Sequence, residues 1–212
     1  MSFSYADFKS DWQSFLSQHV PGGQYDGGRT AEDMITLLNT YYNEPWRHYH
    51  TTEHLNSFQI ALREMGCYNP AVRIGGYFHD IVWLPGYPQC EERSADIAAY
   101  WLYALGARPT FVDEVKRLII ATKHNGQPPV DEAEAQIRDA DLWTLGEPDF
   151  AKFERTQHAV RAEFPMYSDE VYYAGRSGLF KKMFPTNIFW TVPGQQREQQ
   201  ALLNLAKVGI TL

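Results

Sequence analysis

Residues 69–83 read NPAVRIGGYFHDIVW, and the fold follows from how that stretch is parsed. Asn69 before Pro70 has the form of a helix cap and first turn. The Asn side chain can accept from an unpaired backbone N–H, and proline at the first helical position gives up only a donor that lacks a partner there. Ile74 and Phe78 recur at helical spacing, which predicts a helix running to His79. Gly75 lies one turn before His79 on the same face, where a missing side chain lets a neighbouring helix or a ligand approach. LPGYPQC (84–90) is a loop by its Pro and Gly content.

Working outward, the same 3.6-residue rhythm appears on both sides, and alternating strand patterns hardly at all. Upstream, Thr51 or Thr52 can cap a helix that turns Leu55, Phe58, Leu62 and Met65 inward. Before it, Thr30 with Asp33 suggests a capping box for a helix carrying Met34, Leu37, Leu38 and Tyr41, interrupted at Asn43-Glu44-Pro45. Phe8, Trp12, Phe15 and Leu16 share one face of a first helix, which PGGQYDGG (21–28) breaks. Downstream, a helix from about Glu91 to Leu105 ends at Gly106, and another starts at Thr110 with Val115, Leu118 and Ile119 inward. A short helix leads through Ile137 to Leu145. Two longer ones follow, about Phe150 to Phe164 and after a Ser168 cap, and Gln195 to Lys207 forms a last helix behind an irregular PTNIFW. No repeat, low-complexity tract or linker divides the chain. The expectation is an all-α fold: one compact multi-helix bundle over residues 1–212.

With 212 residues and 44% hydrophobic content, the chain can bury one sizeable core. A net charge of −7 argues against attachment to a nucleic-acid polymer or a membrane by bulk electrostatics, but a metal and a few basic residues can still bind a small phosphorylated substrate. The two cysteines, Cys67 and Cys90, form no CxxC pair, so a thiolate zinc site is not expected. The first residues show no signal-peptide pattern and no apolar run reaches membrane-spanning length, so a cytoplasmic protein is expected, its oligomeric state open with a homodimer as one option.

Histidine is scarce at seven residues, yet three fall in RHYHTTEH as His48, His50 and His54. His79 precedes Asp80, His124 lies in ATKHN, and Asp139 and Asp141 flank one alanine in RDADLWTLG. Imidazoles with carboxylates and no thiolate suit Mn, Fe, Co, Ni or Zn and leave coordination positions for water and substrate. A lone histidine is more often a surface or hydrogen-bonded core residue, and a lone His-Asp pair is weak. The conjunction is stronger: histidine, the pair about 25 positions on, and an aspartate about 60 further, all in a helical chain. Consecutive side chains on one helix point about 100° apart. His79 and Asp80 therefore reach one ion only if it sits over the helix edge and other helices close the shell.

This ordered pattern resembles the HD-domain superfamily of metal-dependent phosphohydrolases. Within it, NEPWRHYHTTEHL, YFHDIVW, EERSA, RDADLWTLG and AGRSGL are similar to one family of predicted phosphohydrolases, over most of the chain. The resemblance implies a metal-site core over about 30–185 and His54, His79, Asp80 and Asp141 as ligands. They would hold one divalent transition ion or Mg, with two ions as the alternative. Asp141 is preferred to Asp139 because the superfamily's last aspartate commonly stands in an Ala-Asp context before a leucine. His50 and His124 become candidates for a second metal or for substrate contacts, and His48 for solvent. Several such enzymes carry an acidic pair shortly after His-Asp, whereas here Ile81, Val82, Trp83 and Leu84 follow. The nearest acids, Glu91 and Glu92, join Asp80 as candidates for the catalytic group, with helix capping or solvent as the competing role.

For phosphate contacts, Arg47 and Lys123 stand beside the histidine motifs and Arg176 lies among small residues, with Arg161 weaker. Tyr41, Tyr42, Trp46, Tyr49, Tyr77 and Trp83 cluster nearby, and aromatics at helical spacing are usually core. The expected function is hydrolysis of a small phosphate ester or nucleotide by a metal-activated water. A di-iron oxygenase of the same fold, or a non-catalytic metal-dependent nucleotide-binding protein, is the alternative.

Overall fold

The computed structural model describes residues 5–21 and 27–210. Among them are helices α1 (Tyr5–His19), α2 (Gly27–Tyr42), α3 (Thr52–Glu64), α4 (Pro70–Phe78), α5 (Cys90–Ala104) and α6 (Pro109–Ala121). These are followed by α7 (Glu132–Leu142), a 3-10 turn (Trp143–Gly146), α8 (Phe150–Ala162), α9 (Asp169–Met183), α10 (Val192–Gln195) and α11 (Glu198–Lys207). No strand occurs among the described residues, so the fold is all-α, and no described helix is long and apolar enough to cross a membrane.

The helix starts read from the sequence rest on real caps. Asn69 accepts from the Ala71 N–H at 2.9 Å with Pro70 in the first turn, Thr51 accepts from Glu53, and Ser168 accepts from Val171. Each such cap stabilises its helix by about 1 kcal/mol. Gly106 adopts the left-handed φ of 77° expected after a helix end. α6 opens one residue before Thr110, at Pro109. The Thr30 cap is corrected: α2 begins at Gly27, and the Thr30 hydroxyl accepts from Trp12 Nε1 at 3.2 Å instead. Most of the helix-breaking segment 21–28 lies outside the described residues. The last helix divides in two: the Thr191 cap and Pro193 open the short α10, which ends at a Gln196 C-cap before α11 begins at Glu198.

α4 is the hub, packing against α1, α3, α5, α6 and α7. All but Pro70 and Arg73 of its residues are buried, the pattern of a helix covered on every side. Gly75 and Gly76 permit that covering. A Cβ on Gly75 would meet Ile137 at 3.2 Å, and one on Gly76 would run into the Phe58 ring. The gap at Gly75 thus admits neighbouring helices rather than a ligand. One apolar core runs from Phe8 to Ile210 and surrounds α4.

α4 stops at Phe78, with His79 as its C-cap and Asp80 in the turn beyond. His79 keeps helical dihedrals, so the pair stands at the very end of the helix, where other helices can close a shell around it. The turn is held from two sides. Buried Tyr42 donates its hydroxyl to the Tyr77 carbonyl and accepts from the Asp80 N–H, both at 3.2 Å. Arg47 donates to the Asp80 carbonyl at 2.7 Å and to the Ile81 carbonyl at 2.9 Å.

Candidate metal centre and its cavity

His54 enters from α3, His79 and Asp80 from the end of α4, and Asp141 from α7. One ligand atom from each lies within 4.8 Å of the others, in a group that is buried apart from the partly exposed Asp141. The two imidazole Nε2 atoms are 3.0 Å apart. Asp80 Oδ2 lies 3.0 Å from His79 Nε2 and 3.5 Å from His54 Nε2, and Asp141 Oδ1 lies 3.4 and 3.3 Å from the same two atoms. Ligands at about 2.0–2.2 Å from an ion stand roughly 3.0–3.5 Å from one another in tetrahedral or octahedral shells. The spacing fits an ion among them. His79 Nδ1 contacts the Gly76 carbonyl at 2.8 Å. Its proton is thereby fixed on Nδ1, and Nε2 is left to present a lone pair to the cluster. His54 Nδ1 is buried without a hydrogen-bond partner.

The electrostatics agree. Burial alone would raise both carboxyls, but the His79 and His50 imidazoles beside Asp80 hold it far below the usual carboxylate range. Hydrogen bonds from His124, His54 and His79 hold Asp141 well below it too. Burial opposes charge on the imidazoles, yet bonds to Asp141 and Asp80 raise His54, and the Asp80 charge raises His79 well above its ordinary value. Two ionised carboxylates in a buried site call for positive charge, which a divalent cation supplies. His54, His79, Asp80 and Asp141 thus form a group that can hold a metal ion. The free thiols Cys67 and Cys90 are buried and not part of it.

The cluster opens on a cavity of about 830 Å3 between the body of the bundle and the α8–α9 pair. His50, Lys123, His124, Glu91 and Arg176 line it with Asp80 and Asp141. His124 sits just past α6 with a left-handed φ of 47°, unusual for a non-glycine residue, and its Nε2 lies 2.8 Å from Asp141 Oδ2. Burial, with the charge of nearby Asp80, pushes the Glu91 carboxyl up.

Other expected site residues are placed elsewhere. Arg47 does not line the cavity: its guanidinium serves the Glu44 carboxylate and the carbonyls of His50, Asp80 and Ile81, so it braces the turn instead of meeting phosphate. Glu92 pairs with Lys123 outside the lining. Asp139 faces away from Asp141. It accepts from the Trp190 and Thr191 N–H groups and the Thr191 hydroxyl, all within 3.1 Å, and burial pushes its carboxyl up to about 6 despite those bonds. Arg161 is taken by Asp169 and the carbonyls of Phe164 and Tyr167, and His48 is exposed.

Glu163, at the end of α8, went unread in the sequence. Its side chain is buried, Oε1 accepts from the N–H groups of His48, Tyr49 and His50 at 2.7–2.9 Å, and Oε2 lies 2.5 Å from His50 Nδ1. Burial would raise this carboxyl, but the His50 ring bond, its charge and the backbone donors lower it to about 2. The opposite ring nitrogen, His50 Nε2, lies 3.9 Å from Asp80 Oδ2, and the ring stacks on Trp83 with centroids 3.6 Å apart. A signal was present: an acid at a helix C-terminus opposes the helix dipole and needs a partner from elsewhere. Of the clustered aromatics, Tyr42 and Tyr77 are fully buried core residues, while Trp83 is the platform for His50.

Comparison with family models, curated proteins and solved structures yields no match to this chain.

Proposed function

We propose that the chain is a metal-dependent phosphohydrolase of the HD-domain kind, cleaving a small phosphate ester. The observation that carries the reading is the convergence of His54, His79, Asp80 and Asp141 at ligand spacing, with Asp80 and Asp141 on the wall of a cavity that also holds a carboxylate-fixed histidine. A divalent ion held by the four side chains supplies Lewis acidity toward a phosphoryl oxygen and makes a water more acidic.

The chain's own residues account for the remaining needs of the reaction. Lys123 and Arg176 face the cavity and offset phosphate charge. Glu163 keeps a proton on His50 Nδ1 and aims Nε2 at the cluster, which makes His50 the group suited to protonate the leaving oxygen. The ester P–O bond breaks, water oxygen becomes the fourth oxygen of the released phosphate and gives up one proton to solvent, and the leaving oxygen takes the Nε2 proton, which solvent restores to His50. His50 has firmer support in that role than Glu91, for which no fixed hydrogen-bond partner holds the side chain toward the cluster.

Elemental analysis of the purified protein, followed by a panel of phosphomonoesters, cyclic nucleotides and nucleoside triphosphates with the metal found, tests the proposal. At least one equivalent of metal and turnover of a phosphoester are expected. Inactivity across the panel in metal-replete protein refutes it.

One observation favours a second reading. Asp141 contacts the cluster through Oδ1 and His124 through Oδ2, the disposition of a carboxylate able to bridge two ions. A di-iron oxygenase would show two irons per chain and oxygen uptake with a small diol.

A further inference from the structure

The cavity is larger and more apolar than cleavage of a small polar ester requires. Away from the cluster its walls come from Leu142, Val160, Phe164, Val171, Leu179 and Phe180. Several of the polar side chains among them are tied to one another within the protein. Gln157 and Tyr172 pair with Arg176, Thr144 with the Tyr49 hydroxyl, and Tyr87 with Gln89. The Thr122 and Thr156 hydroxyls donate to carbonyls of their own helices. A nucleotide's ribose and base would exchange water for mostly apolar walls away from the cluster, at a net loss. Lys123 and Arg176 are the lysine and arginine of the lining, Lys123 beside Glu92 and Arg176 beside Gln157.

The mouth has the same character. Leu84, Tyr167, Val171 and Leu179 line the cavity and are also 44–56% exposed, so apolar surface continues from the chamber to solvent. α9, which forms this rim, buries only Tyr172 and Phe180, and a Cβ on the lining residue Gly175 would meet nothing within 4 Å. There is room under α9 for a bulky group.

We infer that the substrate is an amphiphile: a phosphomonoester whose phosphate sits at the His/Asp cluster and whose hydrocarbon or aromatic body lies between α8 and α9. The inference rests on the hydrolase reading for its polar end, while the apolar wall stands on its own geometry. A volume of about 830 Å3 is within the range of pockets that enclose whole ligands of roughly 300–1,000 Å3.

The test is calorimetric titration of the full chain with n-alkylphosphonates from methyl to decyl, which cannot be hydrolysed, below their aggregation concentrations. Affinity rises about threefold to fourfold per methylene over the first several carbons. Chelating the metal weakens all members by a common factor and leaves that slope in place. An affinity independent of chain length, or tighter binding of a nucleoside monophosphate than of hexylphosphonate, overturns the inference. A double Val171→Asp, Leu179→Asp variant flattens the slope. Both positions are more than half exposed, so its melting temperature stays at the wild-type value. An unchanged slope in the folded double variant overturns the placement under α9. The two readings fail separately. A chain-length slope without hydrolysis of any alkyl phosphate removes the hydrolase and keeps the chamber, and hydrolysis with kcat/KM indifferent to chain length does the reverse.

Discussion

Glu163→Gln separates the scaffold from the chemistry of the site. In the native protein one carboxylate accepts from three successive backbone N–H groups and from an imidazole. Glutamine keeps one oxygen for the backbone donors but turns an NH2 toward His50 Nδ1, which cannot then keep its proton there. A carboxyl moved from an ordinary 4.5 to about 2 carries about 3 kcal/mol at neutral pH, at roughly 1.4 kcal/mol per pH unit. The folded value is depressed, so this stabilisation is present above the unfolded pKa and is lost as pH falls through the folded one. Urea denaturation followed by circular dichroism should show the variant about 3 kcal/mol less stable at pH 7, the gap narrowing between pH 4.5 and about 2. Activity should fall about 10²- to 10⁴-fold on an alkyl phosphate, whose leaving oxygen needs a proton. An activated aryl phosphate, whose leaving oxygen does not, should lose far less. Stability within about 0.5 kcal/mol of wild type at pH 7 would refute the account of the cradle. Equal activity loss on both esters would refute the role given to His50.

Three further outcomes follow from the geometry. Asp80→Ala removes a ligand oxygen that lies within 3.5 Å of both imidazole Nε2 atoms and should bring the metal content of the purified protein close to zero; a variant that kept metal and activity would remove the central claim. Asp139→Ala should leave metal stoichiometry unchanged while costing about 2–4 kcal/mol in thermal or urea denaturation, because three donors in the 190–191 segment lose their acceptor. Gly76→Ala should cost about 1–3 kcal/mol by displacing Phe58, which packs 4.9 Å from the His79 ring, and should also weaken metal affinity measured by competition with a chelator.

The helices were legible because their signals are local. Asn69-Pro70, Thr51, Ser168 and Gly106 act within a turn of themselves, and the apolar spacing between them is read directly. The four ligand candidates were legible for another reason, their order along the chain. What the sequence concealed lies in pairings that carry no local mark. Arg47 stands next to the histidines and so reads as a phosphate contact, yet the chain turns at Asp80 and Ile81, and the exposed carbonyls of that turn take its donors. Asp139 and Asp141 look equivalent, but two residues along a helix rotate side chains by about 200°. One therefore holds the segment before α10 and the other faces the cluster. Glu163 meets His50 across 113 positions, and nothing periodic connects them. All three follow one rule: a charged side chain in a packed bundle goes where unpaired backbone groups or an opposite charge await it, and sequence neighbours do not say where that is. The usable sign is a charge in the wrong place. An acid at the C-terminal end of α8 costs energy there by itself, so its presence indicates a distant group that offsets the cost, and in this chain that group is the histidine loop facing the His/Asp cluster.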